Sequence, residues 1–322
     1  MPGPRILFVK LSSLGDVIHH LPAVTDAAAY LPGAHIAWAL EDAYVEIARL
    51  HPAVAQTIAV GLRGLRRDPL AAERWKRLAR ARREVREGRW DYVIDTQGLL
   101  KSAWIARASS APRFGLDASS AREGIASRFY DVKVRVPRAL HAVERNRRLV
   151  GAVLGYKPRG EATYGIVAPA EAPAWAPRTP YVVMLHAASR ASKRWADGNW
   201  VALAKTLSSR GYTSVFPGGT DAERAAAASL ARQVDGAIAA PAMDLVQGAA
   251  LLGHADGVVG VDTGLTHLAV ALGVATVGIY GATSPLLTGL HGGPHAVNVG
   301  DAGKPPSVAD VANAIGIAGE AR

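Results

Sequence analysis

The stretch Arg5-Ile6-Leu7-Phe8-Val9-Lys10-Leu11-Ser12-Ser13-Leu14-Gly15-Asp16-Val17 passes from one structural period to another. Its first half is a short apolar run and reads as a buried strand over 5–10. From Asp16 to Tyr30 the pattern is amphipathic, with Val17, Leu21, Val24 and Ala28 on one helical face. Ser12, Ser13 and Gly15 make the turn between them. Asp16 therefore stands at the carboxyl end of a first strand and the amino end of a first helix, where open α/β sheets keep their ligands. Position alone leaves two roles open. Asp is a preferred helix cap and suits the positive end of the helix dipole, and a carboxylate at a strand end is also a candidate catalytic group.

Outward from this stretch the alternation continues. Strand-like segments at 35–40, 56–61, 91–96 and 112–116 are interleaved with helix-like segments at 41–50, 70–88, 98–108, 119–129 and 141–154. Such alternation implies a parallel sheet covered by helices on both faces. Pro158, Pro169, Pro173, Pro177 and Pro180 then punctuate a stretch with little helical period. We take 1–165 as a first domain, 166–180 as a linker and 181–322 as a second domain. In the second domain strands are expected at 181–186, 212–216, 257–261 and 275–280. Helices are expected from Asp197, at 221–232, 244–253 and 265–272, and near 307–318, the last able to pack back on the first domain. The fold class is α/β, two doubly wound parallel sheets.

Composition bounds the function. The chain has 322 residues, of which 49% are hydrophobic, enough for two cores. Cysteine is absent, which excludes disulfides, a thiolate metal site and a cysteine nucleophile, and fits a cytoplasmic location. The first apolar run is short and leads into Ser-Ser-Leu-Gly-Asp, unlike an export signal. The longest apolar stretch, 268–281, is too short and glycine-rich to span a bilayer and reads as a helix followed by a strand. The net charge of +10 is uneven, with +11 over residues 1–180 and −1 over 181–322. Much of the excess lies between Arg63 and Arg89, either as a solvated helix face or as a surface for an anionic partner such as a phosphorylated glycolipid or a membrane. Nucleic acid is not expected, because no reader motif accompanies the charge.

The second half carries its own constellation. Val258-Val-Gly-Val-Asp262-Thr263-Gly264-Leu-Thr266-His267 reads as a strand, a tight turn and a helix start. Amides at a helix N-terminus, with Thr hydroxyls beside them, suit a diphosphate, and Gly264 lets the backbone approach closely. His267 lies one turn on and can reach the same anion, although an ordinary turn capped by Asp262 has the same sequence. Lys193, in His186-Ala-Ala-Ser189-Arg-Ala-Ser-Lys193-Arg-Trp195, can neutralise a leaving phosphate. Glu223 follows Pro217-Gly-Gly219 past another strand end, and Met243 precedes a helix. No G-x-G-x-x-G, P-loop, D-x-D or H-E-x-x-H pattern occurs, so dinucleotide oxidoreduction, a P-loop enzyme and a bound metal are not expected.

Taken together these motifs resemble those of the lipopolysaccharide heptosyltransferases of glycosyltransferase family 9, nearest to the first enzyme of that series. The resemblance rests on Lys10-Leu-Ser-Ser-Leu-Gly-Asp16-Val-Ile-His-His-Leu-Pro22-Ala, Ile94-Asp-Thr-Gln97-Gly-Leu-Leu-Lys101-Ser, Ala121-Arg122-Glu and His141-Ala-Val-Glu-Arg145. It extends to Lys193-Arg-Trp195 and Val261-Asp262-Thr-Gly-Leu-Thr-His267-Leu. It implies a metal-independent, inverting GT-B enzyme, with two Rossmann-like domains facing a cleft and no cofactor. It further implies transfer of L-glycero-D-manno-heptose from ADP-heptose to the first Kdo of Kdo-lipid A, by a monomer at the cytoplasmic face of the inner membrane. By this resemblance Asp16 is the general base and Lys193 assists the leaving group. Ser189, Lys193, Glu223, Met243, Asp262, Thr263, Gly264 and His267 would hold ADP-heptose. Ser12, Ser13, Gly15, Arg63, Gln97, Arg122 and His141 would meet the acceptor. One departure stands out: Ala188-Ser189 occupies a place where the family often has two hydroxyl residues.

A single displacement with inversion needs one base and one stabilised leaving group, which Asp16 and a phosphate cradle around Lys193 can supply. Two other readings are a sugar-nucleotide epimerase of similar build and a non-catalytic glycolipid-binding protein. The epimerase needs a second acid near the sugar and no lipid acceptor, and the binding protein needs no base at Asp16.

Overall fold

In a computed structural model the chain divides into two compact units, Met1–Ile166 and Val167–Arg322; the structure describes residues 3–68 and 70–320. In the first unit the order is β1 (Arg5–Val9), α1 (Leu14–Ile18), α2 (Leu21–Tyr30), β2 (His35–Leu40), α3 (Val45–Arg49), β3 (Val54–Ala59), α4 (Leu62–Arg67) and α5 (Ala72–Glu87). Then follow β4 (Tyr92–Asp95), α6 (Leu100–Ala106), β5 (Arg113–Leu116), β6 (Val132–Val134) and α7 (Ala142–Leu154). The strands form one parallel sheet in the order β3-β2-β1-β4-β5-β6. Alternation along β1 sends Leu7 and Val9 to one face, against Leu78, Ala81 and Val85 of α5. Phe8 goes to the other face, its ring 4.8 Å from that of His20.

The second unit repeats the plan with β7 (Tyr181–Leu185), α8 (Asp197–Ser208), β8 (Thr213–Phe216), α9 (Asp221–Ala231), β9 (Ile238–Ala239) and α10 (Leu245–Gly253). It continues through β10 (Gly257–Val261), α11 (Gly264–Ala271), β11 (Thr276–Ile279), β12 (Ala296–Val299) and α12 (Val308–Glu320). Its sheet runs β12-β11-β10-β7-β8-β9, and α12 packs into its core through Val311, Ala314 and Ile315. Counted within each unit, both sheets follow the order 3-2-1-4-5-6. The chain leaves the first and fourth strands in opposite directions, so their carboxyl ends border a crevice. In the first unit these strands are β1 and β4, and in the second β7 and β10.

Several elements differ from the sequence reading. The helix expected over 16–30 is two helices, because Pro22 in the first turn of α2 has no N–H to continue the ladder of α1. The segment 41–50 opens with a 3-10 turn, Asp42–Tyr44, before α3. The α-helix expected over 119–129 is absent. There Asp117 Oδ1 accepts from the Ser119 hydroxyl at 2.9 Å and the Ser120 N–H at 2.8 Å, side-chain bonds that compete with a helix, and only a 3-10 segment, Gly124–Phe129, follows. α4, β6, β9 and β12 were not foreseen. These short strands are only partly buried and lack a long apolar run.

Gly260 in β10 shows how tightly the second crevice is built. A Cβ there would stand 2.4 Å from Thr266 Oγ1 and 2.9 Å from Leu185 Cβ. Gly260→Ala is therefore expected to lower stability by about 1–3 kcal/mol, measured as a drop in the thermal unfolding midpoint; an unchanged midpoint would contradict this packing.

Candidate functional site

In the first unit the loop after β1 is fastened from below. Gln97, buried just past β4, accepts from the Leu11 N–H at 2.6 Å and the Ser12 N–H at 3.4 Å, and its Nε2 donates to the Ser12 carbonyl. Lys101 Nζ donates to Ser12 Oγ at 2.8 Å. Gly98, at φ +66°, lets the chain turn after Gln97 and pass close to Ala121, where a Cβ would lie 3.3 Å from Ala121 Cβ. Gln97 thus clamps the loop that carries Asp16.

Asp16 is not the N-cap of α1. Ser13 is, and Asp16 occupies the third helical position. Its Oδ2 accepts from the Ser13 N–H at 2.8 Å and from Ser13 Oγ at 3.2 Å. Arg122 Nη1 lies 3.4 Å from both carboxylate oxygens. Capping and charge pairing thus hold Asp16 in place while a quarter of its side chain stays exposed, at 27%.

A buried cation lies beneath it. Lys10, next to Val9 at the end of β1, donates to the Thr96 carbonyl at 2.9 Å and to Asn146 Oδ1 at 3.2 Å. Burial pushes its ammonium down to about 8, while the carboxylates of Asp16 and Asp95 pull it back up. Asp95, wholly buried, accepts from the Tyr130 hydroxyl at 2.7 Å and from the Gln97 N–H at 2.8 Å. Burial raises its carboxyl despite these bonds. Neither Lys10 nor Asp95 was singled out from sequence as a site residue. The available signal was a charged residue ending each of two apolar strands, which the sheet places side by side with Val9 opposite Asp95.

The other expected acceptor residues are more dispersed. His141 is the N-cap of α7, its Nδ1 accepting from the Val143 N–H at 3.2 Å, with its ring 5.5 Å from that of His19. Arg63 sits in α4, its N–H donating to Glu41 Oε2 at 3.0 Å and its guanidinium to the Tyr44 hydroxyl. Gly15 lies inside α1.

In the second unit the crevice holds an opposite arrangement, a lysine bound by a carboxylate. Lys193 ends a 3-10 turn, Ala191–Lys193, and its Nζ is 2.6 Å from Asp262 Oδ2. Thr283 Oγ1, unforeseen from sequence, donates to the same oxygen at 2.9 Å, and His267 Nε2 is 3.7 Å from Oδ1. Trp195 anchors the lysine's loop, buried with its Nε1 donating to the Pro306 carbonyl at 3.1 Å. Thr263, not Asp262, is the N-cap of α11. The opening amides of such a helix have no intrahelical acceptor, so they and Lys193 are groups that can receive an anion.

Ser189 is exposed on the loop before Lys193, whereas Ala188 is buried in the core cluster with Trp195 and Trp200. The residue that departs from the family pattern therefore serves packing here. Glu223 occupies the third position of α9, whose N-cap is Thr220, and its Oε2 accepts from the Gly219 and Thr220 N–H groups at 2.9 and 3.0 Å. Met243 is half-buried just ahead of Asp244, the N-cap of α10. Among the described residues no group of three or more His, Asp or Glu is placed to hold a metal ion.

Comparison with known proteins is consistent with this layout. The model of glycosyltransferase family 9 (heptosyltransferase) matches residues 78–310. The chain belongs to that family. Over 290 residues it is 43% identical to lipopolysaccharide heptosyltransferase 1 of Pseudomonas aeruginosa, covering 89% of this chain and 81% of the relative. The enzyme of the same name from Salmonella typhimurium is 40% identical, covering 89% and 92%. The structure of E. coli heptosyltransferase WaaC with ADP superposes with a TM-score of 0.89 at 34% identity, covering 98% of this chain and 99% of that one. The family 9 chain is thus a transferase, and its two sheets are those of the GT-B glycosyltransferase fold.

Protonation gives this enzyme an acid-sensitive contact. Burial pushes the Asp262 carboxyl upward, but hydrogen bonds from His267 and Lys193, and the lysine charge, outweigh it and hold the group well below the usual carboxylate range. A depressed carboxyl contributes stability above its unfolded value of about 3.8 and loses it as pH falls through the folded value. The stability gap between wild type and Asp262→Asn, read by urea unfolding, is therefore expected to be widest near neutral pH and to narrow on acidification below about pH 4. A gap independent of pH would contradict the pairing.

Proposed function

We propose that this enzyme moves L-glycero-D-manno-heptose from ADP-heptose to the first Kdo of Kdo-lipid A, in the synthesis of the lipopolysaccharide inner core. The observation that carries the reading is the near-complete match to WaaC, whose structures contain ADP and ADP-2-deoxy-2-fluoro heptose. The geometry supports it from both sides. The crevice of the second unit pairs Lys193 with the start of α11, a surface for diphosphate, and the first unit offers one partly exposed carboxylate at a strand end.

In this reading Asp16 accepts the proton of the acceptor hydroxyl as that oxygen forms its bond to the anomeric carbon. The bond from that carbon to the β-phosphate oxygen breaks on the opposite face, which inverts the configuration. Lys193, released from Asp262 to the phosphate, and the α11 amides take up the negative charge of departing ADP, so the protein carries the electrostatic work without a metal ion. Ser189, Glu223, Met243, Thr263, Gly264 and His267 complete the donor site, while Ser12, Ser13, Gly15, Arg63, Gln97, Arg122 and His141 surround the acceptor.

The basic first unit faces an anionic bilayer at the cytoplasmic side of the inner membrane. Its charge acts over a Debye length of about 8–10 Å, and α5 adds Trp75, 53% exposed, among its arginines. In this reading the association is peripheral; among the described residues no helix is long and apolar enough to cross a membrane.

Transfer from ADP-heptose to Kdo-lipid A tests the reading directly. Asp16→Ala is expected to lose about 10²–10⁴-fold in rate while binding ADP-heptose as wild type does; wild-type turnover in the variant would remove Asp16 as the base. Lys193→Ala should instead weaken ADP-heptose binding in a calorimetric titration, and an unchanged affinity would end its phosphate role.

A further inference from the structure

Three large apolar side chains stand exposed beside the crevice of the first unit. Leu100 and Trp104, 41% and 36% exposed, lie four residues apart in α6 and so share its outer face. Ile125, 51% exposed, belongs to the 3-10 segment Gly124–Phe129, which packs on α6 with Ala126 in one cluster with Ala103. The inner face of α6 is already filled by Ser102, Ala103, Ile105 and Ala106, all buried. Leu100, Trp104 and Ile125 therefore add nothing to the core.

Arginines surround these side chains. The Arg82 guanidinium of α5 lies 4.0 Å from the centre of the Trp104 ring, and that of Arg107, the C-cap of α6, lies 5.8 Å from the centre of the Phe129 ring. Arg128 is exposed three residues after Ile125. Among the described residues none of these three arginines stands in an ion pair, and Arg82 Nε has no hydrogen-bond partner. Glu123, the acid beside them, is turned to the Leu100 N–H at 2.7 Å. Apolar tips ringed by unpaired guanidiniums suit a bilayer boundary, where the tips enter the acyl edge and the cations stay at anionic headgroups. A second copy meeting this face across a two-fold axis would set the same cations against themselves, which disfavours a dimer here.

The patch is tied to the loop that carries Asp16. Lys101, next to Leu100, donates to Ser12 Oγ at 2.8 Å, and the Glu123 N–H donates to the Gly98 carbonyl at 3.0 Å. Leu100 thus stands at the edge of the crevice, and Trp104 lies one turn, about 6 Å, further along the helix. We propose that Leu100, Trp104 and Ile125 insert into the headgroup boundary of an anionic bilayer, with Arg82, Arg107 and Arg128 on its phosphates, so that a lipid-anchored acceptor reaches Asp16 without leaving the membrane. The presentation of the acceptor rests on that acceptor being a glycolipid, as in the proposed reaction.

The full chain is tested by co-sedimentation with vesicles of equimolar phosphatidylcholine and phosphatidylglycerol, at low and at high salt. Wild type is expected to bind, and to keep part of that binding at about 1 M salt, where a Debye length of about 3 Å screens the surface charge. The triple variant Leu100→Ser/Trp104→Ser/Ile125→Ser, altered only at exposed side chains, should bind about 10- to 100-fold more weakly and lose the salt-resistant part. With ADP-heptose as donor it should lose about 10-fold in transfer to Kdo-lipid A held in the same vesicles. Transfer to a water-soluble Kdo acceptor without acyl chains should be unchanged, which also shows the variant to be folded. Equal vesicle binding by wild type and the triple variant would overturn the proposal and leave heptose transfer standing. A wild-type dimer in analytical ultracentrifugation that the variant lacks would overturn it in favour of a second copy. No transfer to either acceptor, with vesicle binding as expected, would instead overturn the assigned reaction and leave the bilayer surface standing.

Discussion

Both units depend on one topological constraint, the reversal of crossover direction at the first strand. Right-handed connections on either side of β1 and of β7 carry their helices to opposite faces, so the carboxyl ends of β1 with β4, and of β7 with β10, are left uncovered. Several of the charged and polar groups described above collect there. Lys10, Asp16, Asp95 and Gln97 follow the first pair, and Lys193, Asp262 and His267 follow the second. Strand interiors are buried on both faces and read as apolar runs, so only at their ends can charged side chains meet solvent and ligand together.

The two crevices are electrostatic opposites. In the first, one carboxylate, that of Asp16, stands beside Arg122 and near Lys10. In the second, a lysine is held at 2.6 Å by Asp262, which His267 and Thr283 support in turn. A lysine stored against a carboxylate keeps a defined position without ligand, and a diphosphate with more charge can draw it away. In the proposed donor site this pairing would give the carboxylate a role: it orients the cation and need not itself meet the phosphate.

Much of this was legible in the sequence, for local reasons. Buried parallel strands are apolar runs, and Ser-Ser-Leu-Gly-Asp or Asp-Thr-Gly-Leu-Thr is a turn whatever surrounds it. Failures came where a side chain competed with a local pattern. Pro22 divided one expected helix, and Asp117 removed another by binding Ser119 and Ser120. Residues such as Gln97 were visible as motif members, but their role as a clamp on Leu11 and Ser12 was not, because the partners lie 85 or more residues away. Ala188, which departs from the family's pattern of hydroxyl residues, is a core residue.

By itself the sequence determined the alternation of strands and helices, the acidic residue at the first turn, the strand-to-helix turn at 262–264 in the second half and the uneven charge, since each is a property of neighbouring residues. Tertiary structure decided which strands lie side by side, and with that which charges share a crevice. Lys10 meets Asp95 and Lys193 meets Asp262 only because the sheets bring distant segments together. Whether a charge is paired, buried or left over depends on distances through space, and no reading along the chain contains them.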